Sequence, residues 1–487
     1  NVPGESLETT KAEVARRKKE EKPRVVATVS ERRLVRSWDR WVEQDEWPHL
    51  FSLDLATRDV ADLTPGMKRL GSQGDGLAFD VARDGSIVFA ANSTEPPYRT
   101  LNTDLFLVPA GGGAPRNLTA DNGTGKTTVL TEGWDRVPQG WSFPPDGRTL
   151  FFLAEDRART HVWSLPVSGG TPKVVWKGGR ATAVEVAGPA GLVFAYTTFR
   201  RPAELAAVKL DGSGFRNLTS WNDALLAQIA FGEEREVVFK GAGGDEVQMF
   251  VVHPPGFEKG RKYPLVHVVH GGPIGTSGDE FHLRWNAHAF AAPGYVVALV
   301  NFHGSSSFGQ AFVESILGAP GDKPFQDVMA ATDALAAEGS VDPKRIAAAG
   351  GSYGGYLVNW IAGQTDRFAA LVSHAGIYSL LGQFASDYAY GRQHSYGAYP
   401  FTNPSAIERW SPNRYAANLK TPMLVVHGER DYRVPITQGL ELYGVLTAKG
   451  VPARLVAYPD ENHWVLKGTN AKHWYGEVLG WLARWLK

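Results

Sequence analysis

The sequence predicts two domains in series: a β-propeller, then an α/β domain whose mostly parallel sheet carries helices on both faces. Three observations predict it. The C-terminal half alternates apolar strand-length runs with helical runs, the pattern of a parallel sheet buried on both sides. Within it, Ala349-Gly350-Gly351-Ser352-Tyr353-Gly354-Gly355-Tyr356 sets a serine between such a strand and such a helix. The N-terminal half repeats a strand–turn–strand unit. A length of 487 residues agrees, since single cores stop growing at about 250–300 residues.

The repeats fall within residues 25–232. Leu50-Phe51-Ser52-Leu53-Asp54-Leu55 leads to Asp62-Leu63-Thr64, and Leu105-Phe106-Leu107-Val108-Pro109 leads to Arg116-Asn117-Leu118-Thr119. Val162-Trp163-Ser164-Leu165-Pro166 leads to Lys173-Val174-Val175, and Leu205-Ala206-Ala207-Val208-Lys209-Leu210 leads to Arg216-Asn217-Leu218-Thr219. Each unit is a strand, a polar or glycine-bearing turn and a second segment, and three of the four end in Leu-Thr. Units beginning at 50, 105, 162 and 205 are spaced by 55, 57 and 43 residues, roughly the range of propeller blades. Between them, Asp84-Gly85 precedes Ile87-Val88-Phe89 and Asp146-Gly147 precedes Leu150-Phe151-Phe152; Asp-Gly between apolar runs is a hairpin signal. Four units, with room for four to five blades, are few for a closed ring. The propeller is therefore expected to be N-terminally incomplete, with exposed sheet edges where blades are missing.

Residues 1–24 are dense in charges of both signs. Glu20 and Glu21 follow Arg16-Arg17-Lys18-Lys19 at once, so the segment reads as a solvated helix or connector rather than a basic targeting patch. Gly123-Thr124-Gly125-Lys126-Thr127-Thr128 only imitates a phosphate loop: the required first glycine falls on Ala120, and no strand-to-helix context surrounds it. Asn92, Asn117, Asn122 and Asn217 head Asn-x-Ser/Thr sequons, two of which coincide with the repeat's own ending. Lys+Arg and Asp+Glu stand at 51 each, so no overall field draws nucleic acid or an anionic membrane. The absence of cysteine excludes disulfides and thiolate metal sites. No run of 18 apolar residues occurs. The chain begins at Asn1 with no signal-like apolar region, so a processing, trimming or cloning event is expected before it.

From 233 the texture changes. Glu236–Lys240 and Val247–Val252 flank Gly243-Gly244-Asp245-Glu246 and read as an antiparallel hairpin. Largely apolar strands come next at 263–269, 294–300, 345–349, 368–373, 422–426 and 454–458, with helices at 325–338, 356–362 and 472–486. The second domain is set at 233–487.

Its chemistry centres on Ser352. Gly350-x-Ser352-x-Gly354 is the nucleophile elbow of the α/β-hydrolases, where flanking glycines let the chain turn sharply between strand and helix. A serine hydroxyl is a weak nucleophile and needs a base, which in turn needs an orienting carboxylate. In these folds the order is serine, acid, histidine. Past the strand at 422–426 comes His427-Gly428-Glu429-Arg430-Asp431, where Asp431 is favoured over Glu429 as the acid; His427 reads as structural. Past the next strand comes Pro459-Asp460-Glu461-Asn462-His463, which puts His463 in the base position. An oxyanion hole needs two N–H donors: Tyr353, after the nucleophile, and a glycine of His270-Gly271-Gly272-Pro273, with Gly272 preferred and Gly271 the alternative. No cluster has metal-ligand spacing such as His-Glu-x-x-His, and the chemistry calls for neither metal nor cofactor.

These motifs, together with Asp366-Arg367-Phe368, Trp410-Ser411-Pro412 and His427 to Pro435, resemble the prolyl oligopeptidase family of serine peptidases (S9), in its acylaminoacyl-peptidase/dipeptidyl-peptidase 5 branch. The resemblance covers 233–487 closely and the propeller only in character. It implies a triad of Ser352, Asp431 and His463, an oxyanion hole from Gly272 and Tyr353, and a hydrophobic pocket involving Val434, with Tyr378 or Phe384 as aromatic lining. The loop that usually reads Asn-Pro-Arg-Gly-Ser-Thr-Gly-Tyr-Gly is Asn301-Phe302-His303-Gly304-Ser305-Ser306-Ser307-Phe308-Gly309 here, so its arginine is lost.

The expected function is hydrolysis of short peptides through an acyl-enzyme, with release of N-terminal dipeptides. Acylaminoacyl or endo-oligopeptidase activity is the alternative; an esterase, or an inactive truncated form acting as an interaction module, stands further off. Short peptides are the expected partners, with no nucleic acid or membrane; a second copy or a missing N-terminal segment would complete a truncated propeller. Location is open, with the periplasm or secretion slightly favoured through the resemblance.

Overall fold

The computed structural model describes residues 12, 15–16, 30, 35–41, 47–67, 78–82, 84–92, 103–119, 130–188 and 191–487. Apart from Ala12, Ala15 and Arg16, the charged segment 1–24 lies outside the described residues, as do the phosphate-loop look-alike and Asn122. By its contacts the chain divides into two compact units: Asn1–Thr128 with Phe384–Gln393, and Val129–Gln383 with His394–Lys487.

The first unit contains two short hairpins, Arg36–Ser37 with Arg40–Trp41 and Phe51–Leu53 with Val60–Asp62. It also contains a four-stranded antiparallel sheet running Ala78–Val81, Ile87–Asn92, Thr103–Val108, Arg116–Asn117. Leu50, Leu63, Met67, Ile87, Phe89, Phe106 and Val108 form its core. In the second unit, two more four-stranded meanders, Pro138 to Trp176 and Arg180 to Asn217, meet through a single parallel pairing of Thr160 with Arg180. Four-stranded meanders are the form of propeller blades.

The Leu-Thr ending has a physical cause. In each such unit a leucine beside or within one strand accepts from the leucine just past the end of the next: Leu63, Leu118 and Leu218 N–H donate to the carbonyls of Leu50, Leu105 and Leu205 at 2.8 Å. The following threonine's hydroxyl then accepts from those same strand leucines, Thr64 from Leu50 N–H at 3.0 Å, Thr119 from Leu105 at 3.0 Å and Thr219 from Leu205 at 2.9 Å. A threonine side chain thus extends the ladder where the backbone has turned away, satisfying an amide that would otherwise be orphaned. The Asp-Gly turns form as expected, with Gly85 and Gly147 at φ 82° and 64° and their N–H groups donating to Ala82 and Pro144.

At Glu234 the topology changes within the second unit, while contacts keep the two later meanders with the strands beyond that point. The chain builds β1 Glu234–Lys240, β2 Glu246–Val252, β3 Tyr263–Val269, β4 Val296–Asn301, β5 Val341–Gly351, β6 Ala370–His374, β7 Met423–Gly428 and β8 Ala453–Tyr458. Their order across the sheet is 1-2-4-3-5-6-7-8, antiparallel at β1–β2 and β2–β4 and parallel elsewhere. Central strands such as β3 and β4 are buried along their whole length, which explains their unbroken apolar runs. The covering helices include α1 Ala287–Ala291, α2 Lys323–Ala337, α3 Tyr353–Gln364, α4 Thr437–Ala448 and α5 Gly468–Trp485.

The loop that lost its arginine has other work. His303 Nδ1 lies 2.7 Å from the buried Asp327 and its Nε2 3.1 Å from Asp245. Ser306 donates to Glu155 at 2.6 Å, and Ser307 Oγ accepts from Ala158 N–H at 2.9 Å. The serines fix a blade turn to the sheet domain. Glu234 makes a second tie, bonding Arg200 of the last blade at 2.7 Å and His288 of α1 at 2.6 Å. Burial opposes its charge, but the bonds from His288 and Arg200 outweigh that and hold its carboxyl down at about 2.

A depressed carboxyl stabilises the fold above its unfolded value of 4.5, and that contribution is lost as pH falls toward 2. The shift corresponds to at most about 3 kcal/mol, and screening at the half-exposed Arg200 reduces it to roughly 1–2 kcal/mol. Glu234→Gln is expected to lower the urea midpoint at pH 7, with the gap from the parent narrowing below pH 4.5. A gap that stays constant down to pH 3 would refute the assignment.

Candidate active site

Strand β5 ends and α3 begins at Ser352, which sits at φ 61°, ψ −120°, a conformation that costs a non-glycine residue free energy. The turn closes because nothing projects from its glycines. A Cβ on Gly350 would meet Gly354 O at 2.5 Å, one on Gly354 would meet Val269 O at 2.2 Å, and one on Gly355 would meet Gly376 Cα at 2.6 Å. Packed this tightly against the ends of β3 and β6, the elbow has no room to relax its strain. Tyr353 N–H opens α3, so it belongs to the amides that lack an intrahelical acceptor.

Asp431 and His463 come from the loops after β7 and β8, and the parallel pairing of those strands brings their ends side by side. His463 Nδ1 stands 2.6 Å from Asp431 Oδ2. The other carboxylate oxygen accepts from Val434 N–H at 2.8 Å, and His427 Nε2, which also meets Val434 O at 2.7 Å, lies 3.4 Å from Oδ2. Asp431 is 1% exposed, whereas Glu429 faces solvent. Gly428 lets the two loops touch, since a Cβ there would lie 2.2 Å from Asn462 O. The base loop is closed by Glu461, whose carboxylate accepts from Leu466 N–H, Lys467 N–H and Asn470 at 3.1, 3.0 and 2.7 Å.

His374 is a residue that the sequence did not single out. At the end of β6 its carbonyl accepts from Ser352 N–H at 2.9 Å, while its Nε2 is 3.4 Å from His463 O. Trp474 of α5 donates to its Nδ1 at 2.9 Å, which fixes the tautomer with the proton on Nε2. Burial, with the neighbouring histidines, pushes its pKa down to about 3, so the ring stays neutral. It links the Ser352 elbow to the His463 loop, and only the fold puts it there.

The His270–Pro273 loop follows β3 and lies against the elbow: a Cβ on Gly271 would come 3.4 Å from Ser352 Cβ, and Gly272 takes φ 123°. His270 stacks on Phe302 at 4.1 Å and meets Gly271 O and Ser305 Oγ, each at 2.9 Å. Burial pushes this histidine down to about 4. With its proton on Nδ1 the neutral ring donates to Gly271 O, while the Ser305 hydroxyl donates to Phe302 O at 2.6 Å.

A buried acid–histidine pair, a serine on a strained elbow and an amide-bearing glycine loop, set on strands ordered 1-2-4-3-5-6-7-8, all belong to one compact unit. The profile of the prolyl oligopeptidase family matches residues 281–487. The α/β-hydrolase domain belongs to the prolyl oligopeptidase family. The chain is 34% identical to dipeptidyl-peptidase 5 of Aspergillus fumigatus over 374 residues, 74% of this chain and 52% of that protein. It is 33% identical to dipeptidyl-peptidase 5 of Porphyromonas gingivalis over 378 residues, 76% of this chain and 55% of that one. It thus spans little more than half the length of these curated relatives. Pyrococcus horikoshii acylaminoacyl peptidase superposes with a TM-score of 0.69 at 24% identity, over 88% of this chain and 65% of that one. That likeness supports the fold: a β-propeller ahead of an α/β-hydrolase domain.

Of the three pocket residues implied by the family resemblance, Val434 and Tyr378 are buried. Val434 is 1% exposed and its backbone braces Asp431. Tyr378 is fully buried, its N–H bonded to Gln438 of α4 at 2.9 Å, and burial pushes its hydroxyl up to about 12. Both lie in the second unit. Phe384 opens the Phe384–Gln393 segment, which groups with the first unit.

Proposed function

We propose that this chain is a serine peptidase that cleaves short peptides through an acyl-enzyme and releases dipeptides from the N-terminus. The observation that carries the reading is the buried His463–Asp431 bond on the loops after β7 and β8, tied to the Ser352 elbow through His374. Asp431 fixes the proton on His463 Nδ1, leaving Nε2 to take the Ser352 proton as Oγ attacks the scissile carbonyl. The N–H groups of Tyr353 and Gly272 meet the oxyanion charge. His463 then protonates the leaving amine, and water, activated by the same ring, releases the acyl group. The name shared by the curated relatives supports dipeptide release.

Matched Xaa-Yaa anilides, one free at the N-terminus and one acetylated, test this. The free amine is expected to be cut with kcat/KM at least about tenfold higher, the advantage that one charge-assisted contact supplies. Preference for the acetylated substrate would overturn dipeptide release while keeping the triad.

A further inference from the structure

Arg284 stands beside the base loop, and among the described residues it makes no ion pair. Its guanidinium lies over the ring of Trp464, the residue after His463, at 4.3 Å. Glu280, the acidic group whose charge reaches it, is taken by Arg180 at 2.7 Å. Burial works against the charge of Arg284, yet a guanidinium remains ionised in proteins. A half-buried cation without an anion is costly to maintain, and its segment is held firmly in place. His282 Nδ1 accepts from Arg284 N–H and Trp285 N–H at 3.2 and 3.1 Å. Tyr475 of α5 donates to Leu283 O at 3.0 Å and accepts from Asn286 N–H at 2.9 Å. Apolar side chains of the same two segments are open to solvent: Leu283 is 77% exposed, Leu466 56% and Trp464 39%.

We propose that Arg284 is a specificity-determining residue that binds the free C-terminal carboxylate of a short peptide substrate on the leaving-group side of the scissile bond. This rests on the peptidase reading above. The side follows from the chemistry, because His463 hands its proton to the leaving amine and Arg284 is stacked on the residue next to it. The ligand class follows from the planar fork of the guanidinium, which matches a carboxylate in two parallel hydrogen bonds. Leu283, Trp464 and Leu466 offer apolar surface to the side chain of the departing residue.

The experiment compares a tripeptide free acid, its C-terminal amide and an Xaa-Yaa anilide, using the parent chain, Arg284→Met and Arg284→Lys. The parent is expected to favour the acid over the amide by about tenfold or more in kcat/KM, mostly through KM. In Arg284→Met the ratio falls toward one, and Arg284→Lys restores part of it. A parent that turns over acid and amide equally overturns the assignment, as does an Arg284→Met variant that loses both in proportion, the mark of a structural lesion. Failure of every form, the parent included, to cut the anilide overturns the peptidase reading and this proposal with it. A cut anilide with no acid preference overturns this proposal alone.

Discussion

Ser352→Ala is expected to lower kcat by on the order of 10⁴- to 10⁶-fold with the fold intact. The substitution removes only Oγ. The Ser352 N–H that donates to His374 O at 2.9 Å is a backbone group and stays in place. The backbone at φ 61° is imposed by the glycine contacts on either side rather than by the hydroxyl, so alanine carries the same strain as serine. Three measurements check this together: anilide turnover, covalent labelling by a serine-directed fluorophosphonate, and the thermal midpoint. Turnover above about a tenth of the parent's would exclude Ser352 as nucleophile, because no positioned general base makes up for a missing acyl acceptor.

Asp431→Asn comes next, with an expected loss of about 10⁴-fold. Asparagine can keep the bond from Val434 N–H on its oxygen, but it then turns an amide N–H₂ toward His463 Nδ1, where a carboxylate oxygen now sits at 2.6 Å. That nitrogen must accept, so the proton moves to Nε2 and the ring can no longer take one from Ser352. The wild-type carboxyl stays charged well into acid. Burial opposes this, but His463 and the bond from His427 outweigh it and hold Asp431 below the usual carboxylate range. For a depressed carboxyl the stabilising pairing is complete above the ordinary value of 3.8 and disappears only as pH drops through the lower folded value. Activity lost between pH 7 and 5 is therefore not due to protonation of Asp431. A kcat/KM–pH profile of parent and Asp431→Asn decides the point. An asparagine variant within about tenfold of the parent would show that the tautomer is set by another group.

Local signals carried much of this. The elbow was legible because its glycines, strand and helix are consecutive, and the observed β5 and α3 bracket Ser352 as the pattern required. The hairpin of β1 and β2 and the run of β3 at 263–269 were legible from side-chain alternation and unbroken apolarity. The Leu-Thr endings were visible as a repeat, though their cause, a threonine hydroxyl bonding a strand fourteen residues back, needed coordinates.

Other features depended on residues distant in sequence. Nothing within five residues of His374 marks it, yet β6 lies between β5 and β7, and that neighbourhood lets one side chain reach the base loop while its carbonyl holds the elbow. From the sequence the loop at 301–309 reads only as one that lost its arginine; in the fold its histidine pairs with Asp327 and its serines hold a blade turn. Arg284 reads as one more surface charge until Trp464, 180 positions away, is found beneath it. The sequence by itself determined the two kinds of domain and the elbow, because each is written in neighbouring residues or in chain order. Only the tertiary structure decided which acid is buried, which histidine braces the loops and which half-buried arginine has an aromatic ring in place of a counter-ion. Burial and pairing depend on the strand order that brings distant loops together.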